Sequence, residues 1–200
     1  MTIIKSAWEI AMEKAKNIEK LSAEELEEIK QQEIIDSILA QFYKDQIGPD
    51  DLWRLIKDLS ENTLIKAQHS LLQSLTFFSN DHDFKKRKNG ILAIENLKNI
   101  KQSSLVEQYF DHFKKIKKSL QNDKKEFLDN VEKDLEFDPQ KKMQVLRQGN
   151  QIMLKELSLE EVIDQNQQLK QEMQKIEKHW KNQFDDVKQK LLNIVNTVDQ

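Results

Sequence analysis

Apolar residues recur along this chain at alternating intervals of three and four, the spacing that lines one face of an α-helix. The longest such run lies near the C-terminus: Val162, Leu169, Met173, Ile176, Trp180, Phe184, Val187, Leu191, Ile194 and Val198, with Asn166 in the one place where an apolar residue would complete the pattern. The extra four-residue step from Trp180 to Phe184 keeps this stripe on one side of a nearly straight helix. Shorter seams are Ile4, Trp8, Ala11, Ala15, Ile18, then Leu64, Gln68, Leu71, Leu75, Phe78, then Tyr109, Phe113, Ile116, Leu120. Around Ile34, Ile35, Ile38, Leu39, Phe42 and Tyr43 the stripe widens, which predicts contact with two neighbours.

Breaks in the pattern divide the chain. Pro49 disfavours helix at Gly48, and Asp50 and Asp51 suit a new N-terminus. Ser79-Asn80-Asp81-His82-Asp83 is a polar cluster, and Asp138-Pro139 is another stop. Ser158 with Glu161 has capping-box spacing, as has Ser22 with Glu25, which marks a break near Leu21. Five helices are predicted, at about 2–46, 50–78, 84–137, 140–157 and 158–198. Short connections make neighbours antiparallel. The expected architecture is all-α: one elongated antiparallel helical bundle or coiled coil of long helices over 1–200.

Composition supports that class. There are three Gly and two Pro, where average usage would supply roughly 24 in a chain of this length. Hairpin-rich β folds and alternating βαβ units lean on Gly at their turns, so both are disfavoured. With 38% apolar and 34% charged residues and a mean hydropathy of −0.76, the chain is suited to bury narrow stripes rather than a broad core. The net charge of −3 sums unlike regions: −5 over 1–50, zero over 51–80, +6 over 81–125 and −4 over 126–200. Acidic helices packed beside a basic one would pair those signs.

The opening Lys5-Ser6-Ala7-Trp8-Glu9-Ile10-Ala11-Met12-Glu13-Lys14 resembles the start of a group of uncharacterised bacterial helical proteins. Gly90-Ile91-Leu92-Ala93-Ile94-Glu95 is a second, fainter echo. The resemblance implies a bacterial, helical identity and transfers no functional residue.

The chemistry-bearing residues are sparse. The absence of Cys removes disulfides, thiolate metal sites and thiol nucleophiles. None of the four histidines, His69, His82, His112 and His179, lies three or four residues from another. The positions three before them are Lys66, Ser79, Tyr109 and Ile176, so the Glu-x-x-His pattern of di-iron bundles is missing. Asp81-His82-Asp83 is the one tight group of ligand types, and it reads first as a helix cap beside a solvated His. Ser70 follows His69 on one helix, where adjacent side chains diverge. There is no phosphate-cradling Gly loop. These readings predict no catalytic residue, no metal and no cofactor.

The remaining candidates concern binding. Lys85, Lys86, Arg87 and Lys88 form a candidate anion site. The bases are 29 Lys and three Arg, however, and bidentate phosphate recognition favours Arg, so nucleic acid is disfavoured as a partner. Trp8 and Trp180 fall on seams and read as core, whereas Trp53 is a candidate exposed anchor. The seam at Leu169, Met173, Ile176, Trp180, Phe184, Val187, Leu191 and Ile194 is more regular than internal packing requires. It motivates the leading expectation, a non-enzymatic interaction or adaptor protein that self-associates as a homo-oligomer. The alternatives are a secretion- or flagellar-type chaperone holding a partner helix, and nucleic-acid binding through the basic cluster. No secretory leader and no membrane span is read, so the expected location is cytoplasmic, with no small-molecule substrate.

Overall fold

A computed structural model describes residues 22–148 and 151–196. The seam from Ile4 to Ile18, with Trp8, lies outside them, as does Val198. The chain divides into two compact units: of the described residues, one takes in 22–103 and 194–196, the other 104–193.

Among its described residues the first unit holds α1 (Ala23–Tyr43), α2 (Pro49–Ile56), α3 (Glu61–Gln73) and α4 (Asp81–Glu95). Local chemistry sets their starts. Ser22 and Glu25 exchange hydrogen bonds in a full capping box: Ser22 N donates to Glu25 Oε2 at 2.7 Å, and Glu25 N to Ser22 Oγ at 3.2 Å. Pro49 occupies the first turn of α2, where a missing N–H costs nothing. The side chain of Asn80, rather than Asp81 or Asp83, caps α4 by accepting Asp83 N at 2.8 Å. The predicted contact with two neighbours is present, since α1 packs against both α2 and α3, and α4 against α2 and α3; of the stripe, Ile35, Ile38, Leu39 and Phe42 are buried while Ile34 and Tyr43 are exposed. Ile35, Phe42, Leu52, Ile56, Leu71, Leu72, Ile91 and Ile94 are buried in this unit. Gly90 admits the Phe42 ring, since a Cβ there would stand 2.8 Å from Phe42 Cζ.

Two long predicted helices are each broken. The segment 50–78 interrupts at Lys57–Ser60, because Ser60 caps a new helix by accepting Thr63 N. It then ends at Gln73, with Leu75 and Phe77 buried beyond it. The segment 84–137 begins at Asp81, stops at Glu95 and resumes at Ser103. Neither interruption contains Gly or Pro. In the second, the buried Glu95 carboxylate accepts Gln102 N at 2.7 Å, and Glu61 Oε1 accepts Asn99 N at 3.1 Å, so side chains satisfy backbone groups that a helix would otherwise pair.

The second unit contains α5 (Ser103–Phe137) and, after a single 3₁₀ turn at Pro139–Lys142, an antiparallel hairpin of β1 (Met143–Gln148) and β2 (Gln151–Glu156). α6 (Leu159–Gln165) and α7 (Gln167–Val195) follow. The fourth predicted helix, 140–157, is therefore a β-hairpin. The last predicted helix, 158–198, is two helices: Asn166 adopts φ −92°, ψ 105°, and its Oδ1 caps α7 by accepting Gln168 N at 3.0 Å and Leu169 N at 3.3 Å. Asn166 is thus an exposed cap rather than a buried seam residue.

α5 and α7 run antiparallel. Phe113 meets Phe184 with ring centroids 4.6 Å apart, Trp180 Nε1 donates to Asp123 Oδ2 at 2.7 Å, and Lys124 pairs with Glu177. Where α5 ends and α7 begins, Val131, Leu135, Leu157, Val162 and Ile163 form a small core beneath the hairpin. The described residues are all-α in class, with this hairpin as their one sheet.

Candidate functional site

The hairpin is pinned at its base. Leu157 N donates to Lys142 O at 2.7 Å, just below the Met143–Glu156 pair, and the Leu157 side chain is buried in the small core. Lys155 Nζ lies 2.6 Å from Glu161 Oε1, tying β2 to the first turn of α6. Glu161 Oε2 also accepts Ser158 N at 2.9 Å, in a capping box with Ser158 Oγ. The Lys155 ammonium, and then the Ser158 backbone N–H, hold the Glu161 carboxyl below the usual carboxylate range.

Beyond that base Met143, Val145, Ile152, Met153 and Leu154 meet solvent. In the observed register Val145 faces Leu154, so the alternation places Met143, Val145, Ile152 and Leu154 on one face, which also carries the positions of Arg147, opposite Ile152, and Glu156, opposite Met143. Their exposures are 44%, 57%, 69% and 65%, with Met153 at 47% on the other face. Phe137, at the last turn of α5, is 91% exposed. Single apolar residues scattered on a surface are ordinary, whereas these lie together on one hairpin. Beside the base lies an open depression of about 660 Å³ with Val131, Leu135, Leu157, Val162 and Leu169 in its lining and Lys141 at its rim.

The principal buried polar group of the first unit has another character. Lys98 Nζ donates to Gln68 Oε1 (3.2 Å), Glu95 Oε2 (3.4 Å) and Val195 O (3.2 Å), while Gln68 Nε2 donates to Glu95 Oε2 (2.6 Å) and Ile91 O (3.3 Å). Every donor and acceptor named faces another protein group, which fits a bond between helices rather than a reactive site.

The predicted site residues are divided by the structure. Within the seam, Phe184, Val187 and Leu191 are buried by the chain's own packing, while Leu169, Met173, Ile176, Trp180 and Ile194 are half-buried. Of the basic cluster, Lys86 pairs with Asp45 and sits 4.9 Å over the Phe42 ring. Its hydrogen bond holds the Asp45 carboxyl below the usual range. Arg87 donates to Ser74 Oγ at 3.0 Å and lies 5.7 Å over Tyr43. Lys85 is exposed and Lys88 half-buried; of the four, Lys86 and Arg87 are thus engaged by groups of the chain itself. Trp53 is 39% exposed beside Pro49, Asn89 and Leu92 along a shallow groove.

His82 is exposed, and among the described residues no group of three His, Cys, Asp or Glu is placed to hold a metal. No described helix is long and apolar enough to cross a membrane.

The hairpin was missed in the sequence, although a signal was present. Gly149-Asn150 separates two six-residue runs, a recognised two-residue hairpin connection. No protein-family model, curated protein or solved structure matches the chain.

Proposed function

We propose that this chain is a non-enzymatic interaction protein whose working surface is the β1–β2 hairpin, carried where the paired helices α5 and α7 end and begin. The observation that supports this most directly is that four apolar residues, Met143, Val145, Ile152 and Leu154, share one face of the hairpin and are open to solvent above an anchored base. Burying such side chains is worth on the order of 1.5–3 kcal/mol each, so a partner that covers them gains affinity without rearranging the fold. A photocrosslinking residue at Val145, with a second at exposed Gln183 on α7 as control, tests the reading in cells producing the protein. Adducts to protein at 145 and none at 183 are expected; equal labelling at both overturns it.

A second reading has its own observation. Leu169, Met173 and Ile176 are half-buried along the α5–α7 seam, leaving an apolar margin against which an amphipathic partner helix fits, as a chaperone of the secretion or flagellar kind would require. Crosslinks concentrated at Lys175 rather than at Val145 would favour it.

A further inference from the structure

We propose that the outer side of α1 is a docking surface whose occupant is the chain's own N-terminal segment, with the seam from Ile4 to Ile18 laid antiparallel along the helix. One side of α1 is engaged. Ile35, Ile38, Leu39 and Phe42 are buried, Gln31 Oε1 accepts Ser60 N and Thr63 Oγ1, each at 3.0 Å, and Glu28 pairs with Lys66. At 3.6 residues per turn, Leu26, Ile29, Ser37 and Ala40 fall on the opposite side, with Ile34 at its edge. Leu26 is half-buried and the other four are exposed. A helix draws most of its stability from packing an apolar face, yet before Ile35 α1 has no buried residue.

The chain itself selects the occupant. Leu21 directly precedes the Ser22 cap, and Leu26 is the fourth residue of the helix. Apolar residues at those two positions pack together beside a capping box and fix the angle at which the chain enters. Entry over Leu26 directs the preceding residues along the side that bears Ile29, Ser37 and Ala40.

Length and size agree with that path. With Leu21 on Leu26, an antiparallel helical register sets Ile18 level with Ile29 and Ile4 level with Tyr43, so the seam, about 21 Å long at 1.5 Å per residue, ends where α1 ends. Trp8 comes level with the small Ala40, while Ala15 and Ala11 fall on either side of Ile34. Large side chains thus meet small ones, the alternation that lets two helices interdigitate. Charge agrees as well. α1 holds six acids and one base, and the register brings Lys14 level with Glu33 and Lys20 level with Glu27.

Disulfide trapping in the full chain tests this, since the protein has no Cys of its own. Under mild oxidation Ala11→Cys with Ser37→Cys should close within one chain. Ala11→Cys with Glu24→Cys, about 20 Å out of register along the helix, should not. Closure of the second pair as readily as the first, failure of the first, or a bridge between two chains of 23.8 kDa each overturns the proposal, the last by making a second copy the occupant. Trp8 gives an independent readout. With Trp53→Phe and Trp180→Phe its fluorescence should be blue-shifted from that of the urea-unfolded chain, and adding Ile29→Asp with Ala40→Asp should move it to the red with far-UV circular dichroism unchanged. Emission already at the unfolded value, or unmoved by the aspartates, overturns the proposal too. None of these outcomes bears on the hairpin, which the crosslinks from Val145 read separately.

Discussion

Replacing Gly90 by Ala places one methyl group where α4 meets the Phe42 ring of α1. The new Cβ would stand 2.8 Å from Phe42 Cζ, 3.1 Å from Phe42 Cε1 and 3.3 Å from Leu71 Cδ1. Phe42 and Leu71 are both completely buried, and the Lys86 ammonium covers the Phe42 ring at 4.9 Å, so the ring has no open space to enter. Two effects oppose each other. Ala in a helix interior gains roughly 0.8–1 kcal/mol over Gly, and overpacking a tight core costs about 1–3 kcal/mol. Expected is a net loss of about 1 kcal/mol, read in urea unfolding as a lower midpoint with unchanged slope. In a Phe42→Leu background the obstructing ring atoms are gone and the sign reverses, so that Gly90→Ala stabilises by several tenths of a kcal/mol, the rest of its helix-propensity gain. The reasoning is refuted if Gly90→Ala stabilises the parent by its full propensity gain, or acts alike in both backgrounds.

Three further outcomes follow from the same geometry. Lys98→Met leaves the Glu95 carboxylate buried without its cation and should cost about 3–5 kcal/mol, while Glu95→Gln with Lys98→Met recovers part of that loss; a cost below 1 kcal/mol for the single change would show the network to be dispensable. Ser158→Ala removes the cap that starts α6 and should cost about 1 kcal/mol in urea unfolding; an unchanged midpoint would mean that the Lys155–Glu161 tie alone holds the segment. Because the folded-state pKa of Glu161 lies below its ordinary 4.5, its stabilising contribution is complete above that value and disappears as the pH falls through the folded-state pKa. Titration of the Glu161 side chain by NMR should give a midpoint below 4.5 that rises in Lys155→Met, and a midpoint at 4.5 in the parent contradicts the assignment.

Much of the architecture was legible because it depends on residues within a turn of one another. Ser22 with Glu25 and Ser158 with Glu161 mark helix starts through hydrogen bonds that close over three residues, and the Gly48-Pro49-Asp50-Asp51 sequence does so through proline's fixed φ. The period of Phe113 and Ile116, and of Phe184, Val187 and Leu191, likewise names the faces of α5 and α7 that meet. The hairpin also lay within reach. Ile152-Met153-Leu154 is apolar on three successive positions, a run too short for periodicity to separate strand from helix, and the Gly149-Asn150 connection was the deciding mark.

Other features are decided only by residues brought from far along the chain. Ile176 and Phe184 are equivalent in the sequence period, yet Phe184 is buried against Phe113 while Ile176 is half-buried, since depth depends on what the facing helix supplies. The break after Glu95 carries no Gly or Pro; it persists because Gln68, 27 residues away, and Lys98 neutralise and satisfy a carboxylate that in turn holds Gln102 N. Local spacing thus determined the helical class and those helix starts that carry a cap or a proline, at Ala23, Pro49 and Leu159. Burial and hydrogen bonds across the fold decided where the long helices stop and which apolar residues, those of the hairpin above all, are left to solvent.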